Sequence, residues 1–212
     1  LVMTGKTIKE LGVKDKTLVS HFSIKESVFP FNKFDNVDIL LGPEMKSTGE
    51  VMGIDRSFGM AFAKAQLATG ISLLDKGSVF ISVKDADKPE ALKIAKEFSE
   101  HGYAIVATRG TALYLNGNNL NATTINKVKE GSPHIVERIE SGGIQFVVNT
   151  TFGDQSIKDS YSLRRASLNT NIPYYTTIAG SFALLRALQA LKESDMTVTS
   201  LQDFGMLSAK NL

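Results

Sequence analysis

Ser78-Val79-Phe80-Ile81-Ser82-Val83, then Asp87-Lys88-Pro89-Glu90-Ala91, then Gly102-Tyr103-Ala104-Ile105-Val106-Ala107 is the stretch that decides the fold. Its two ends are short apolar runs of strand composition. Between them, Ala91, Ile94, Ala95 and Phe98 recur at helical spacing and give one apolar stripe. Asp87 stands at the N-cap position with Glu90 three places on, and Gly102 follows the last periodic residue. Strand, helix and strand joined this way predict a parallel pair with a crossover helix.

The alternation continues to the end of the chain. Strands are predicted at Val79 to Val83, Tyr103 to Ala107, Thr123 to Val128, Ile144 to Asn149 and Pro173 to Thr176, with helices between them. The third of these helices is expected to start at Ser132 as cap, with Pro133 in its first turn. The fold class is therefore α/β: a doubly wound, mainly parallel five-stranded sheet with helices on both faces.

Upstream of the Asp75-Lys76-Gly77 turn the rhythm differs. A helix-like stretch near Lys6 to Leu11 precedes an alternating, strand-like run from Leu18 to Phe31 and a loop from Asn32 to Met45. A helix over Arg56 to Ala68 follows, with an apolar stripe of Phe58, Ala61, Phe62, Ala65 and Leu67. These elements are too few for a complete domain, so residues 1–75 read as the remnant of one domain and 76–212 as another. The chain opens on Leu1 in what reads as the middle of a domain, and an excerpt of a longer polypeptide is expected.

Composition narrows the function. With 42% hydrophobic residues among 212, a real core can be buried. No apolar run approaches the roughly 20 residues of a membrane span, so neither membrane nor secretion is indicated and a cytoplasmic location is expected. There are no cysteines, and His21, His101 and His134 are too scattered for local ligand spacing, so no metal site is expected. The 24 basic and 22 acidic residues are intermixed along the chain, which argues against nucleic acid as partner.

In an open parallel sheet, ligands bind where strand carboxyl ends lead into helix amino-termini. The loops to read are Thr108-Arg109-Gly110-Thr111 and Asn149-Thr150-Thr151-Phe152-Gly153, both rich in hydroxyls and both with a glycine that allows close backbone approach. Lys88 and Lys127 add positive charge to the same rim. These residues suit phosphate oxygens. The rim offers no histidine paired with a carboxylate, so no catalytic residue is assigned. Asp154 and Asp159 suit the charged start of the next helix, and His134 suits a surface or packing role.

Leu41-Gly42-Pro43-Glu44-Met45-Lys46-Ser47-Thr48-Gly49-Glu50-Val51-Met52-Gly53, preceded by Val28-Phe29-Pro30-Phe31-Asn32-Lys33-Phe34, resembles the end of the second ATP-grasp unit in large chains of the carbamoyl-phosphate synthetase family. Thr108-Arg109-Gly110-Thr111-Ala112, Asn126-Lys127-Val128, Pro133-His134-Ile135 and Asn149-Thr150-Thr151 are similar to that family's carboxy-terminal, methylglyoxal-synthase-like domain. The resemblance covers essentially the whole chain.

It implies a partial ATP-grasp segment followed by an allosteric domain. In the family, carbamoyl phosphate is made for arginine and pyrimidine synthesis from bicarbonate, two ATP with Mg or Mn, and ammonia from a glutaminase small subunit. The ATP sites lie mainly upstream, so the segment itself is expected to hold no cofactor and to be non-catalytic, within a larger oligomeric enzyme. UMP as inhibitor and IMP as activator would be held by Lys88, Thr108, Gly110, Thr111 and Lys127, with Asn149, Thr150 and Thr151 lining the pocket. Ornithine would meet Glu26, Leu41 and Thr176. Tyr175 stands where bacterial relatives often carry aspartate, and Phe29 where they carry a smaller aliphatic residue. A free-standing methylglyoxal synthase, a lyase on the same fold, needs proton-shuttling carboxylates where this chain reads Gly131-Ser132-Pro133 and Asn149-Thr150-Thr151. An oligomerisation module without a ligand is the third alternative.

Overall fold

Successive side chains on a strand point to opposite faces, and the run Val79-Phe80-Ile81 divides accordingly. Val79 and Ile81 enter one core and Phe80 enters another, and none of the three is more than 1% exposed. The computed structural model describes residues 1–13, 19–31, 49–151, 158 and 160–204. Strands β1 (Phe22–Val28) and β2 (Gly49–Asp55) form an antiparallel pair, followed by α1 (Phe58–Ala68). Then come β3 (Gly77–Ser82), α2 (Lys88–Glu100), β4 (Tyr103–Thr108), α3 (Arg109–Gly117), β5 (Ala122–Ile125) and α4 (Ile135–Glu140). The sheet is completed by β6 (Phe146–Asn149), α5 (Tyr161–Asn169), β7 (Tyr174–Tyr175) and α6 (Ile178–Glu193).

The second sheet has the order β5-β4-β3-β6-β7, and every pair in it is parallel. Helices α2, α3 and α6 cover the face that carries Val79, Ile81, Ile105 and Phe146. Helices α4 and α5 cover the face that carries Phe80, Val106 and Val147. The first core is centred on an aromatic trio, Phe98, Tyr103 and Phe146, with centroids 5.6–6.2 Å apart in mixed edge and stacked contacts. The doubly wound, five-stranded parallel fold expected from the alternation is the fold observed.

Several local expectations need correction. Near the amino terminus, the helix expected at Lys6 to Leu11 is a 3-10 turn at Val2–Thr4 followed by isolated turns. The strand expected to reach Val128 stops at Ile125, because Val128–Glu130 curls into a 3-10 turn with Lys127 at its start. Asp87 precedes α2 but makes no side-chain cap, since its backbone is already helical at the end of the 3-10 turn Asp85–Asp87. The cap of α4 is His134, not Ser132: its backbone is extended, and its imidazole accepts from the Glu137 N–H at 3.4 Å. Glu137 Oε2 in turn accepts from His134 N–H at 2.9 Å and from the Ser132 hydroxyl at 3.1 Å, so the serine serves the cap at one remove. The expected loop Asn32 to Met45, with Asp154 and Asp159, lies outside the described residues.

Helix α1 joins the amino-terminal strand pair to the sheet, and it does so through small residues. Its buried positions are Gly59, Met60, Ala61, Ala63, Ala65 and Gln66, whereas Phe58 and Leu67 of the expected stripe are about two-fifths exposed. Ser57 caps it, accepting from Met60 N–H. At Gly59 a Cβ would lie 2.1 Å from the backbone oxygen of Arg186 on α6, and at Gly53 it would lie 2.0 Å from the oxygen of Ala61. Backbone therefore meets backbone at both contacts. Gly59→Ala is expected to force α1 away from α6 and lower stability by roughly 1–3 kcal/mol. A urea midpoint unchanged from wild type would contradict this account of the contact.

Candidate functional site

Because all five strands of the larger sheet run the same way, their carboxyl ends share one edge. Ser82 ends β3, Thr108 ends β4 and Asn149 ends β6, with Ser82 opposite Asn149 in register. Strand order reverses at β3 and β6, the place where open α/β sheets form a crevice. Here a cavity of about 320 Å³ has Phe80, Ile135 and Leu163 as apolar lining and Thr108, Lys127, Asn149, Thr150, Thr151 and Ser160 as polar lining. An adjoining hollow of about 460 Å³ is lined by Lys88, Arg109, Gly110 and Thr111, and the two share Ser82, Val83, Thr108, Lys127 and Glu130. All eight rim residues singled out from sequence, Lys88, Thr108, Gly110, Thr111, Lys127, Asn149, Thr150 and Thr151, therefore line one continuous opening.

The hydroxyls are fixed by the strand ends. Thr111 Oγ1 accepts from Val83 N–H at 3.3 Å, and Thr150 Oγ1 accepts from Lys84 N–H at 3.2 Å. Thr108 Oγ1 donates to Ser82 Oγ at 3.1 Å and lies 3.5 Å from Thr111 Oγ1. With their oxygens held by backbone donors, Thr111 and Thr150 retain O–H hydrogens to donate to a ligand. Asn149 Nδ2 donates to Ser160 Oγ at 3.1 Å and to the Tyr174 hydroxyl at 2.5 Å, which sets the amide plane.

Charge follows the same geometry. Lys88 Nζ pairs with Asp85 at 2.7 Å, and Lys84 Nζ sits 3.7 Å from Asp87. The hydrogen bond from Lys88, with its positive charge, holds the Asp85 carboxyl below the usual carboxylate range. Among the described residues, Lys127 Nζ has no carboxylate within ion-pair distance, and the Lys127 backbone N–H occupies Glu130 Oε2 at 2.8 Å. Helix α3 begins in the hollow, and Thr108 makes no side-chain cap there, whereas Ser57 and Thr177 cap α1 and α6. The N–H groups of its first turn are thus left for an anion. At Gly110 a Cβ would meet only Lys88 Nζ, at 3.8 Å, so no neighbouring residue requires glycine and its openness serves the hollow. The arrangement suits a small dianionic ester, with an apolar recess beside it for a ring.

Sequence reading missed Ser82, Lys84, Ser160 and Tyr174. Ser82 is the last residue of β3 and Lys84 lies two positions beyond it, so reading the end of that strand as closely as the other two would have found them. Ser160 and Tyr174 reach the site only through tertiary packing and leave no local signal.

A second cavity, of about 510 Å³, lies between β1, α5 and β7. Glu26 and Thr176, the positions named for an amino-acid effector, both line it, while Leu41 lies outside the described residues. Phe29 and Phe31 stack along its wall at 5.3 Å, and the buried Arg164 also lines it. Gln66 Nε2 donates to Glu26 Oε2 at 2.5 Å, and the Tyr175 hydroxyl donates to Gln66 Oε1 at 3.0 Å. Burial raises the Glu26 carboxyl above its ordinary value, with the Gln66 hydrogen bond opposing. Burial, with Glu26 adding to it, also pushes the Tyr175 phenol up.

Residues 90–176 match the MGS-like domain family. The carbamoyl phosphate synthase large chain of Myxococcus xanthus (strain DK1622) is 49% identical over 204 residues, which is 96% of this chain and 19% of that one. The carbamoyl phosphate synthase large chain, C-terminal section, of Aquifex aeolicus (strain VF5) is 48% identical over 187 residues, 86% of this chain and 35% of that one. The chain thus spans about a fifth of the length of the full large chains it matches. Among solved structures, a methylglyoxal synthase from Elizabethkingia anophelis NUHP1 aligns over 53% of this chain and 79% of its own, at 12% identity and a TM-score of 0.44.

Glu26 supplies a pH test of the second cavity. The folded chain holds its proton more tightly than the unfolded chain, so its contribution to stability is full below the ordinary glutamate value and is lost as pH rises through the raised one. Glu26→Gln, whose amide oxygen can still accept from Gln66, is expected to gain stability relative to wild type as pH rises above the ordinary glutamate range, about pH 4. Urea denaturation from that pH upward checks the trend, and a difference independent of pH would refute it.

Proposed function

The chain carries an MGS-like domain and matches the C-terminal region of carbamoyl phosphate synthase large chains, and on that premise we propose that it is the regulatory end of such a large chain, binding nucleoside monophosphates at the strand-end cavity. The observation that carries the reading is the meeting of Lys88, Lys127, Thr108, Thr111, Asn149 and Thr150 around one opening beside the uncapped start of α3. A monophosphate ester carries about −1.5 to −2 charges near neutral pH. Its oxygens would take the Lys127 ammonium, the Thr111 hydroxyl and the first N–H groups of α3, and its sugar and base would occupy the recess of Phe80, Ile135 and Leu163. Lys88 would exchange its exposed partner Asp85 for phosphate, at small cost because surface pairs contribute little.

UMP as inhibitor and IMP as activator are the ligands the reading names, and both present the same phosphate and ribose. The second cavity would take ornithine, with the Glu26 carboxylate toward an ammonium group and Thr176 beside it. The whole protein would be an ATP-dependent, glutamine-hydrolysing ligase with a glutaminase small subunit. Its ATP with Mg or Mn would bind upstream of this segment, and the segment would act by biasing the whole enzyme between two states that bind effector unequally. Such an enzyme would work in the cytoplasm, in arginine and pyrimidine biosynthesis. Among the described residues, no helix is long and apolar enough to cross a membrane.

Calorimetric titration of the chain with UMP and IMP tests the proposal. Each well-made charge-assisted hydrogen bond contributes about 1.5–3 kcal/mol, so Lys127→Ala and Thr111→Ala should each raise both Kd values by roughly tenfold or more. Lys127→Ala is the cleaner variant, since Thr111 also supports the Val83 N–H. Unchanged Kd values in both variants, with the fold intact by circular dichroism, would refute the site. Methylglyoxal formed from dihydroxyacetone phosphate in a parallel assay would favour a lyase instead.

A further inference from the structure

Strand β7 has two residues, and their side chains leave it in opposite directions. The Tyr174 hydroxyl accepts from Asn149 Nδ2 at 2.5 Å, on the wall of the strand-end cavity. The Tyr175 hydroxyl donates to Gln66 Oε1 on α1 at 3.0 Å, and Gln66 Nε2 passes the contact on to Glu26 of β1. Gln66 is 3% exposed and Asn149 is 4% exposed, so neither amide has much water to fall back on if its partner moves. A continuous series of hydrogen bonds therefore runs from the cavity wall, through one peptide unit of β7, to the amino-terminal strand pair.

Two further features favour β7 as a moving part. It is an edge strand and, among the described residues, pairs with β6 alone, through Val147 and Val148, and short edge elements open at lower free energy than central ones. It also borders both cavities: Tyr174 lines the second one directly, while its hydroxyl reaches the first through Asn149. Helix α5 shares this position, with Leu163 toward the first cavity and Arg164 toward the second.

We infer that β7 is the link by which occupancy of the strand-end cavity is felt at α1 and β1, with Tyr174 and Tyr175 as its two contacts. The inference rests on the proposed anion site and adds the route out of it. A ligand that takes a hydrogen bond from Asn149 changes what that amide offers Tyr174. The strand then shifts or stiffens as a unit, and Gln66 and Glu26 experience the change through Tyr175. Linkage makes the effect reciprocal, so loosening Gln66 alters ligand affinity by the same factor.

Hydrogen exchange of this chain with and without saturating UMP tests the route, with UMP binding measured separately by calorimetry. In the wild type, UMP should slow amide exchange across residues 58–68 by about twofold or more. Tyr174→Phe removes the hydroxyl but keeps the ring; it should weaken UMP a few-fold and abolish the response in α1. Tyr175→Phe should abolish the same response and, through the same linkage, weaken UMP by a few-fold. The pair keeps the test decisive if one variant folds poorly. No response of α1 in the wild type, or a full response in either variant, overturns the inference while leaving the binding site intact. Absence of UMP binding by calorimetry overturns the proposed function, and the inference falls with it.

Discussion

Parallel pairing is the constraint on which everything else in this protein depends. Each strand must be followed by a crossover that returns to the starting edge, so every carboxyl end of the five-stranded sheet opens on the same side. Ser82, Thr108 and Asn149 are brought together by that requirement alone, although 67 positions separate the first from the last. Their hydroxyl and amide groups lie where the sheet's own hydrogen bonding runs out. Backbone donors there, at Val83 and Lys84, turn to threonine side chains instead of to another strand. The same bonds that terminate the sheet orient the donors of the cavity.

How far this could be read beforehand varied with the range of the interaction involved. The alternation of Val79-Phe80-Ile81 with Ala91, Ile94, Ala95 and Phe98 is local and strong, and it led to the observed five-stranded sheet. The gathering of the rim residues around one opening was legible because strand carboxyl ends share one edge in such sheets. Capping was read less well. At α4 the Ser132-Pro133 pair pointed to a start two residues early, since nothing local shows that a histidine will accept from Glu137. The apolar stripe of α1 was right only in part: Ala61 and Ala65 are buried as expected, but Phe58 and Leu67 are about two-fifths exposed, and Gly59 and Ala63 join the buried face for closeness and not for area. Ser160 and Tyr174 approach Asn149 from 11 and 25 positions away, and pattern alone cannot anticipate contacts of that kind.

The amino-terminal pair β1 and β2 illustrates a different dependence. Two strands alone are marginal in water, and this pair gains its support from α1, which rests on α6 through the Gly59 approach. Lys64 adds a half-buried tie, donating to Asp55 at 2.7 Å. Gln66 extends the tie to β7. One helix thus carries the packing, the ionic and the hydrogen-bonded connections between the small sheet and the large one.

The pairing of Lys88 with Asp85 has an implication for selectivity. The carboxylate sits three residues before its partner, at the start of the 3-10 turn Asp85–Asp87, almost fully exposed, and so acts as a tethered anion beside the ammonium. Any solute that approaches Lys88 must outcompete this resident rival. Chloride, acetate and other singly charged species gain nothing over a carboxylate already in place. A doubly charged phosphoryl group, the ligand proposed for this rim, would gain by meeting Lys88, Lys127 and the start of α3 together. On the proposed binding, the turn would work as a threshold filter, tuned to charge density and not to abundance.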